Sequence, residues 1–331
     1  MVSEAKDPLG SLKQIEQLIP QGQFNEALQI LTAIENRNDL APKDRFTCKL
    51  LRHKILIEQG DYQQSLALSE ELLKTSERLG NQVLMVDAIL SKLEMIKWLI
   101  TIWNSSVAQR RELLDLINTG ESILAAIPQL EPQETEKRLA ILERHKGNIY
   151  RSLGDFDSSL QYLQRSLSFY EEKSNKNALA EVLIDISRTY QTRGLHESRL
   201  EYLEESLKTY QQIDNEEGLA EVYIELASCK YDMGEPVEGQ EYFQKSCEKA
   251  EKLKATPRLG SLFNWIGEFN YMKVGQSDLA LKAFQRSFYI FKQFDHRAGM
   301  AWSALRQGNI HSYHKGEFNK GLECYKQSQE L

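Results

Sequence analysis

Gly154-Asp155-Phe156-Asp157-Ser158-Ser159-Leu160-Gln161-Tyr162-Leu163 returns, with changes, as Gly316-Glu317-Phe318-Asn319-Lys320-Gly321-Leu322-Glu323-Cys324-Tyr325. Three more copies lie between them, and the glycines that open the five, Gly154, Gly194, Gly234, Gly275 and Gly316, recur every 40 or 41 residues. A series of small residues runs ahead of these glycines, at Gly147, Ser187, Ala227, Gly267 and Gly308, and a series of serines follows, at Ser166, Ser206, Ser246, Ser287 and Ser328. Similarity at a fixed period marks a stack of supersecondary units, each burying its apolar face against its neighbours instead of in one central core.

Periodicity says what the unit is. Ahead of Gly194, Leu183, Ile186, Ser187 and Tyr190 sit three, four and seven apart, which puts them on one stripe of a helix. Behind it, Leu200, Leu203, Leu207 and Tyr210 do the same. Each unit is therefore a helix, a tight turn in which glycine takes the helix-ending conformation, and a second helix. The small residue of the first helix lets the two axes approach closely.

The recurring order of a small residue, Tyr, Gly-[Asp/Glu]-[Phe/Tyr] and a small residue before Leu resembles the tetratricopeptide repeat. The period is longer than the usual 34 of that family, and loops such as Ser174-Asn175-Lys176-Asn177 and Asp214-Asn215-Glu216-Glu217 stand where a closing Pro is common. The longer form is similar to the repeats of kinesin light chains and of the Pins/LGN adaptors. The resemblance implies an all-α, right-handed superhelical solenoid of about eight antiparallel helix-turn-helix units. Arg199 and Gln240 interrupt the small or apolar pattern, which predicts looser packing there.

Residues 1–331 read as a single solenoid, with units at 9–36, 42–79, 81–127, 133–173, 177–213, 217–253, 257–294 and 297–331. The third is divergent. Gly60 and Gly154 lie more than two periods apart, and long helices on either side of Asn104-Ser105-Ser106 are predicted to fill the gap. Pro128 and Pro132 then break the chain before unit four. Of Trp98 and Trp103, five apart, one is expected in the core and the other at the surface or against unit four. The last unit ends at Leu331 without a polar capping helix, so the expectation is a fragment of something longer, or a partner or second copy covering that end.

With 41% hydrophobic and 27% charged residues the composition is that of an ordered helical protein, and a formal charge of −7 opposes phosphate backbones. No nucleic-acid partner is expected. The most apolar run, 96–103, contains Lys97 and is far shorter than a membrane span, and Met1 to Gly10 lack a signal pattern, so neither a membrane nor secretion is expected. A cytoplasmic protein follows, and Cys48, Cys229, Cys247 and Cys324 show no paired spacing that contradicts a reducing compartment.

Chemistry-bearing constellations are sparse. There is no phosphate loop, nucleophile elbow or His-Glu-x-x-His, so no catalytic residue and no cofactor is assigned. His311 and His314 share a helix face but lack a further ligand, so no metal site is expected.

The distinctive surface of such a stack is the concave groove lined by the first helices. Helical geometry from the small residues places Arg144, Asn148 and Arg151 there in unit four, beside His145, and Arg188 and Gln191 in unit five, with Glu181 and Asp185. Unit six supplies Glu221, Glu225 and Tyr231, unit seven Asn264, Trp265, Glu268 and Tyr271, and unit eight Trp302, Arg306, Asn309 and Tyr313. So drawn, the groove is basic at unit four, acidic across five and six, and aromatic with amides at seven and eight. Trp265 and Trp302 read equally as groove residues and as fillers between helices.

Some family members grip the free carboxylate of chaperone tails with Lys, Asn and Arg from three successive first helices. Here Asp185, Glu221 and Glu225 follow Arg144 and Asn148, so that clamp is not reproduced. The expectation is a non-enzymatic scaffold or adaptor holding a peptide or helical segment in the groove, basic where units five and six lie. The alternative is the sensor or regulatory arm of a larger enzyme or transcriptional regulator truncated at residue 331.

Overall fold

In the computed structural model the backbone is described for residues 8–102, 106–127 and 130–331, and side chains are described over the same ranges except 8–10, 20 and 95–102. The expectations for Trp98, Trp103, the Asn104-Ser105 turn and Pro128 lie outside the described residues. Among the described residues there are sixteen α-helices and no strand. They pair as α1 (Pro8–Leu18) with α2 (Phe24–Glu35), α3 (Pro42–Glu58) with α4 (Tyr62–Leu79), α5 (Gln82–Ile102) with α6 (Val107–Ala126), and α7 (Pro132–Leu153) with α8 (Phe156–Glu172). Then come α9 (Lys176–Arg193) with α10 (His196–Gln212), α11 (Glu216–Asp232) with α12 (Pro236–Lys252), α13 (Pro257–Phe269) with α14 (Ser277–Gln293), and α15 (Arg297–Asn309) with α16 (Phe318–Glu330). The divergent third unit has the long helices its sequence predicts, of 21 and 20 residues.

The repeated motif is two capping devices placed end to end. At the close of α7, Gly154 takes φ +84°; its N–H donates to the Arg151 carbonyl and that of Asp155 to the Tyr150 carbonyl, a Schellman ending. Asp155 then caps α8 by accepting from the Ser158 N–H at 3.1 Å. Between units, Ser174, Asp214 and Asp295 adopt left-handed φ near +50°. The next residue, Asn175, Asn215 or His296, caps the following helix through its side chain.

The serine series acquires a reason from packing. Ser166, Ser206, Ser246, Ser287 and Ser328 each donate to a carbonyl in the preceding first helix, of Ala140, Ala180, Ala220, Gly260 and Ala301, at 2.8 to 3.0 Å. A small side chain lets the second helix lie close, and its hydroxyl is satisfied where it is buried.

In units seven and eight one extra residue separates the small residue from the turn glycine. The backbone absorbs it as a π-helical turn, Asn270–Val274 and Ile310–His314, which is why the period lengthens to 41 there.

First helices lie side by side, α3 on α5, α5 on α7, α7 on α9, α11 on α13 and α13 on α15, forming the inner face of the stack. The stack also closes on itself. A Cβ on Gly22 would lie 2.8 Å from the Phe294 ring and one on Gly60 2.5 Å from the His296 ring. Phe24 packs edge-on against Phe294 at 5.8 Å, and Tyr62 against His296 at 6.1 Å. The turns of units one and two thus rest on the connection between units seven and eight. A superhelix that completes one turn makes this contact, because turns within units and connections between units occupy opposite edges. The concave groove expected from sequence is therefore the inside of a closed turn.

Candidate functional site

The inner face is organised by arginines that reach from one unit to carboxylates of the next. Arg144 on α7 meets Glu181 at 2.7 Å and Asp185 at 2.6 Å on α9. Arg188 on α9 meets Glu221 at 3.4 Å and Glu225 at 2.9 Å on α11. Glu225 also pairs at 3.0 Å with Arg199, which reaches Asp232 at 3.0 Å. Arg258 on α13 closes onto Glu221 at 3.1 Å, Lys273 pairs with Asp232, and Arg306 on α15 forms a two-pronged pair with Glu268 on α13.

Burial by itself would lower the pKa of the Arg144 and Arg188 guanidinium groups, but the facing carboxylates outweigh it and hold both raised. Burial alone would likewise raise the Glu225 carboxyl, and Arg188 with Arg199 brings it below its ordinary value. The acidic stretch expected across units five and six is thus already neutralised from within. This removes the reason to expect a basic ligand there: the arginines that cancel the acids lie in neighbouring units, at distances along the chain that a helix-by-helix reading does not connect.

Arg199 is the main correction. It occupies the position that Ser159, Gly239, Ala280 and Gly321 hold in other units, five after the turn glycine, and instead of loosening the unit it is fully buried and bonded to two acids. The sequence carried one usable signal: Glu225 and Asp232 fall seven apart on the facing helix, one stripe presenting two acids to a single cation. Gln240 accepts a hydrogen bond from Tyr231 at 3.2 Å.

The remaining candidates divide by exposure. Asn264 is buried and accepts from Ser303 at 2.9 Å, so it serves packing. Asn309 accepts from Tyr325 at 3.0 Å, and Tyr231 packs edge-on against Phe269. Trp265 is 36% exposed, with the Arg188 guanidinium 5.0 Å above its ring from two units away, so the inner face is tightly curved. Trp302 is half-buried under Arg306 at 5.1 Å. Tyr271, in the first π turn, hydrogen-bonds His314 of the second at 2.8 Å, and Tyr313 stands 78% exposed. Gln191 is exposed, and Asn148 donates to Asp185 at 3.1 Å. Arg151 donates to the Asp185 carbonyl oxygen at 3.2 Å. His311 lies 2.6 Å from Glu317, and among the described residues no group of three metal-ligating side chains gathers anywhere.

Residues 138–212 match the tetratricopeptide repeat family. That stretch is built of tetratricopeptide-like repeats, and the whole chain resembles such proteins in fold. Solved structures repeat the architecture over nearly its whole length. NprR in complex with its cognate peptide NprX is 16% identical over 98% of this chain and 90% of that one, with a TM-score of 0.57. The apo form of RapI is 16% identical over 98% and 96%, with a TM-score of 0.56. A signal transduction ATPase with a tetratricopeptide repeat sensor, from Pyrococcus horikoshii, is 14% identical over 87% of this chain and 44% of that one, with a TM-score of 0.55. At such identities the likeness shows the fold alone. No curated protein matches this repeat chain. None of its helices, among the described residues, is long and apolar enough to cross a membrane.

Proposed function

We propose that the chain is a non-enzymatic protein-interaction module of the cytoplasm that holds a peptide, or a short segment of a partner, on the inner face of its superhelical turn. The observation that carries this reading is the inner face itself. It is preformed by adjacent first helices, braced by inter-unit ion pairs, and edged with Trp265, Tyr271, Trp302 and Tyr313, residue types that supply most of the energy at binding surfaces. Rigid bracing lowers the ordering cost of binding, because the surface does not have to be assembled when the ligand arrives. The peptide held by NprR, a protein of similar fold, supports a ligand of this kind.

Trp302→Ala and Tyr271→Ala test the reading. Each is expected to leave the far-ultraviolet circular dichroism unchanged and to weaken capture of peptides from a library by about tenfold, the loss of roughly 1.4 kcal/mol. Unchanged retention by both variants would remove the inner face from the account.

A second reading has one observation in its favour. The similarity to a signal transduction ATPase, of which this chain covers 44%, supports a sensor arm that works on an effector domain. The same peptide site would serve it, and peptide-dependent activity of a linked effector is the measurement that separates the two.

A further inference from the structure

In units four to eight the serine twelve residues after the turn glycine donates to the carbonyl of an alanine or glycine seven before the small residue, and the two helices close there. Unit two breaks that rule. Counted the same way from Gly60 and His53, its two positions hold Leu72 and Phe46. Both are buried, in a cluster with Leu84 and Ala88 of α5. Two large side chains stand where the other units have two small ones, no hydroxyl is available to bridge, and the helices are held apart at this level.

The gap between the start of α3 and the end of α4 is a cavity of about 180 Å³. Leu40, Pro42, Phe46 and Leu79 give it apolar walls, and Arg45 and Lys49 are the two charged residues of its lining. No acid lines it. Lys49 is held by Glu71 at 2.5 Å. Arg45 donates at 3.5 Å to the Arg37 carbonyl, and among the described residues no carboxylate comes within 4.0 Å of it. Being exposed, Arg45 needs no partner for folding; what it adds is a cationic, planar fork at the edge of an apolar hole, on a chain whose formal charge is −7.

Volume and charge together specify a ligand. A dry cavity of roughly 150 Å³ lined by aliphatic and aromatic side chains takes benzene, so this one takes a single group of that size. A guanidinium pairs best with a planar carboxylate, through two parallel hydrogen bonds. The apolar walls offer little to a peptide backbone, which would lose its hydrogen bonds to water there. We infer that this cavity binds a small free carboxylate bearing one aromatic or branched aliphatic group, of the size of phenylacetate, with that group against Leu40 and Phe46 and the carboxylate on Arg45. The walls come from α3, α4 and the connection before α3, not from adjacent first helices, so the inference is independent of the peptide-binding reading.

The test titrates the full chain with phenylacetate, phenylacetamide and acetate, following the methyl resonances of Leu40, Leu79 and Thr75, the last being a further lining residue. Phenylacetate is expected to shift them saturably with a dissociation constant on the order of 1 mM, and the amide and acetate to bind about tenfold more weakly or not at all. Arg45→Gln, which keeps the cavity, is expected to hold phenylacetate and phenylacetamide alike. Thr75→Leu, which fills the cavity and keeps the charge, is expected to lose both; should it unfold, Arg45→Gln alone decides. No saturable shift with phenylacetate up to about 10 mM would overturn the site. Equal binding of acid and amide by the wild type, or a preference for the acid that survives Arg45→Gln, would remove the anionic class. A short peptide ending in a free Phe that binds more than about tenfold tighter than phenylacetate would make the occupant a chain terminus and end the assignment to a small molecule.

Discussion

Arg199 shows how one residue couples two units. Its guanidinium lies between α10 and α11, fully buried, and bonds Glu225 and Asp232, while Glu225 is shared with Arg188 from the unit before. Removing Arg199 strips one partner from each of two part-buried carboxylates, leaving Glu225 to Arg188 and Asp232 to Lys273, and empties a fully buried side-chain volume. Arg199→Ala is expected to destabilise the chain by about 3 kcal/mol or more, read from the urea midpoint, where a solvent-exposed ion pair would show less than about 1 kcal/mol. A change below that lower figure would mean that water replaces the guanidinium at no cost. At this scale the sequence was only half legible. It put Arg144, Arg188, Glu221 and Glu225 on one face, because helical geometry fixes faces. It misjudged their charge, because pairing between units depends on how the helices are set beside one another.

At the scale of one helix, Gly147 inside α7 and Gly154 just past its end serve different ends. Gly154 needs its left-handed φ of +84° and has nothing within 4 Å of where a Cβ would stand. Gly147 is ordinary helix, but a Cβ there would lie 2.6 Å from Leu163 Cγ and 3.0 Å from the Ser159 carbonyl oxygen. Gly154→Ala is expected to cost about 1 to 2 kcal/mol through backbone conformation, with the structure unchanged. Gly147→Ala is expected to cost about 1 to 3 kcal/mol by forcing α7 and α8 apart, with a changed near-ultraviolet circular dichroism. Thermal unfolding with near-ultraviolet spectra of both variants separates the mechanisms; matching spectra would refute the close-approach account of the small series. The helices, their capping and the 41-residue spacing were visible in sequence. That the extra residue becomes a π turn was not, since an insertion is accepted wherever the neighbouring helix leaves room for it.

Over the whole molecule, closure of the stack brings a titratable group into a dry seam. His296 caps α15 and packs on Tyr62, and burial lowers its pKa from 6.5 to about 4. His53, which holds the small-residue position of unit two, is completely buried with neither ring nitrogen bonded, and burial lowers it likewise to about 4. Above pH 6.5 both rings are neutral whether the chain is folded or not, and they contribute no pH dependence. Below it the unfolded chain takes protons that the folded chain refuses until about pH 4, so stability falls across that window, by on the order of 3 kcal/mol per ring. Urea midpoints at pH 7 and pH 4.5 measure the loss. His296→Asn, which keeps a side-chain cap of the kind Asn175 and Asn215 provide, is expected to retain more stability at pH 4.5 than the wild type and to delay the acid expansion seen by small-angle scattering. Equal acid sensitivity in the variant would place the transition elsewhere.

The sequence by itself determined the unit, its count and its axis of repetition, because helix periodicity, capping residues and small contact positions are local properties that recur in register. Only the tertiary structure decided that the stack completes a turn and that the acids of units five and six meet arginines. These depend on the rotation between successive units, a small angle that accumulates along the stack and that no single repeat encodes.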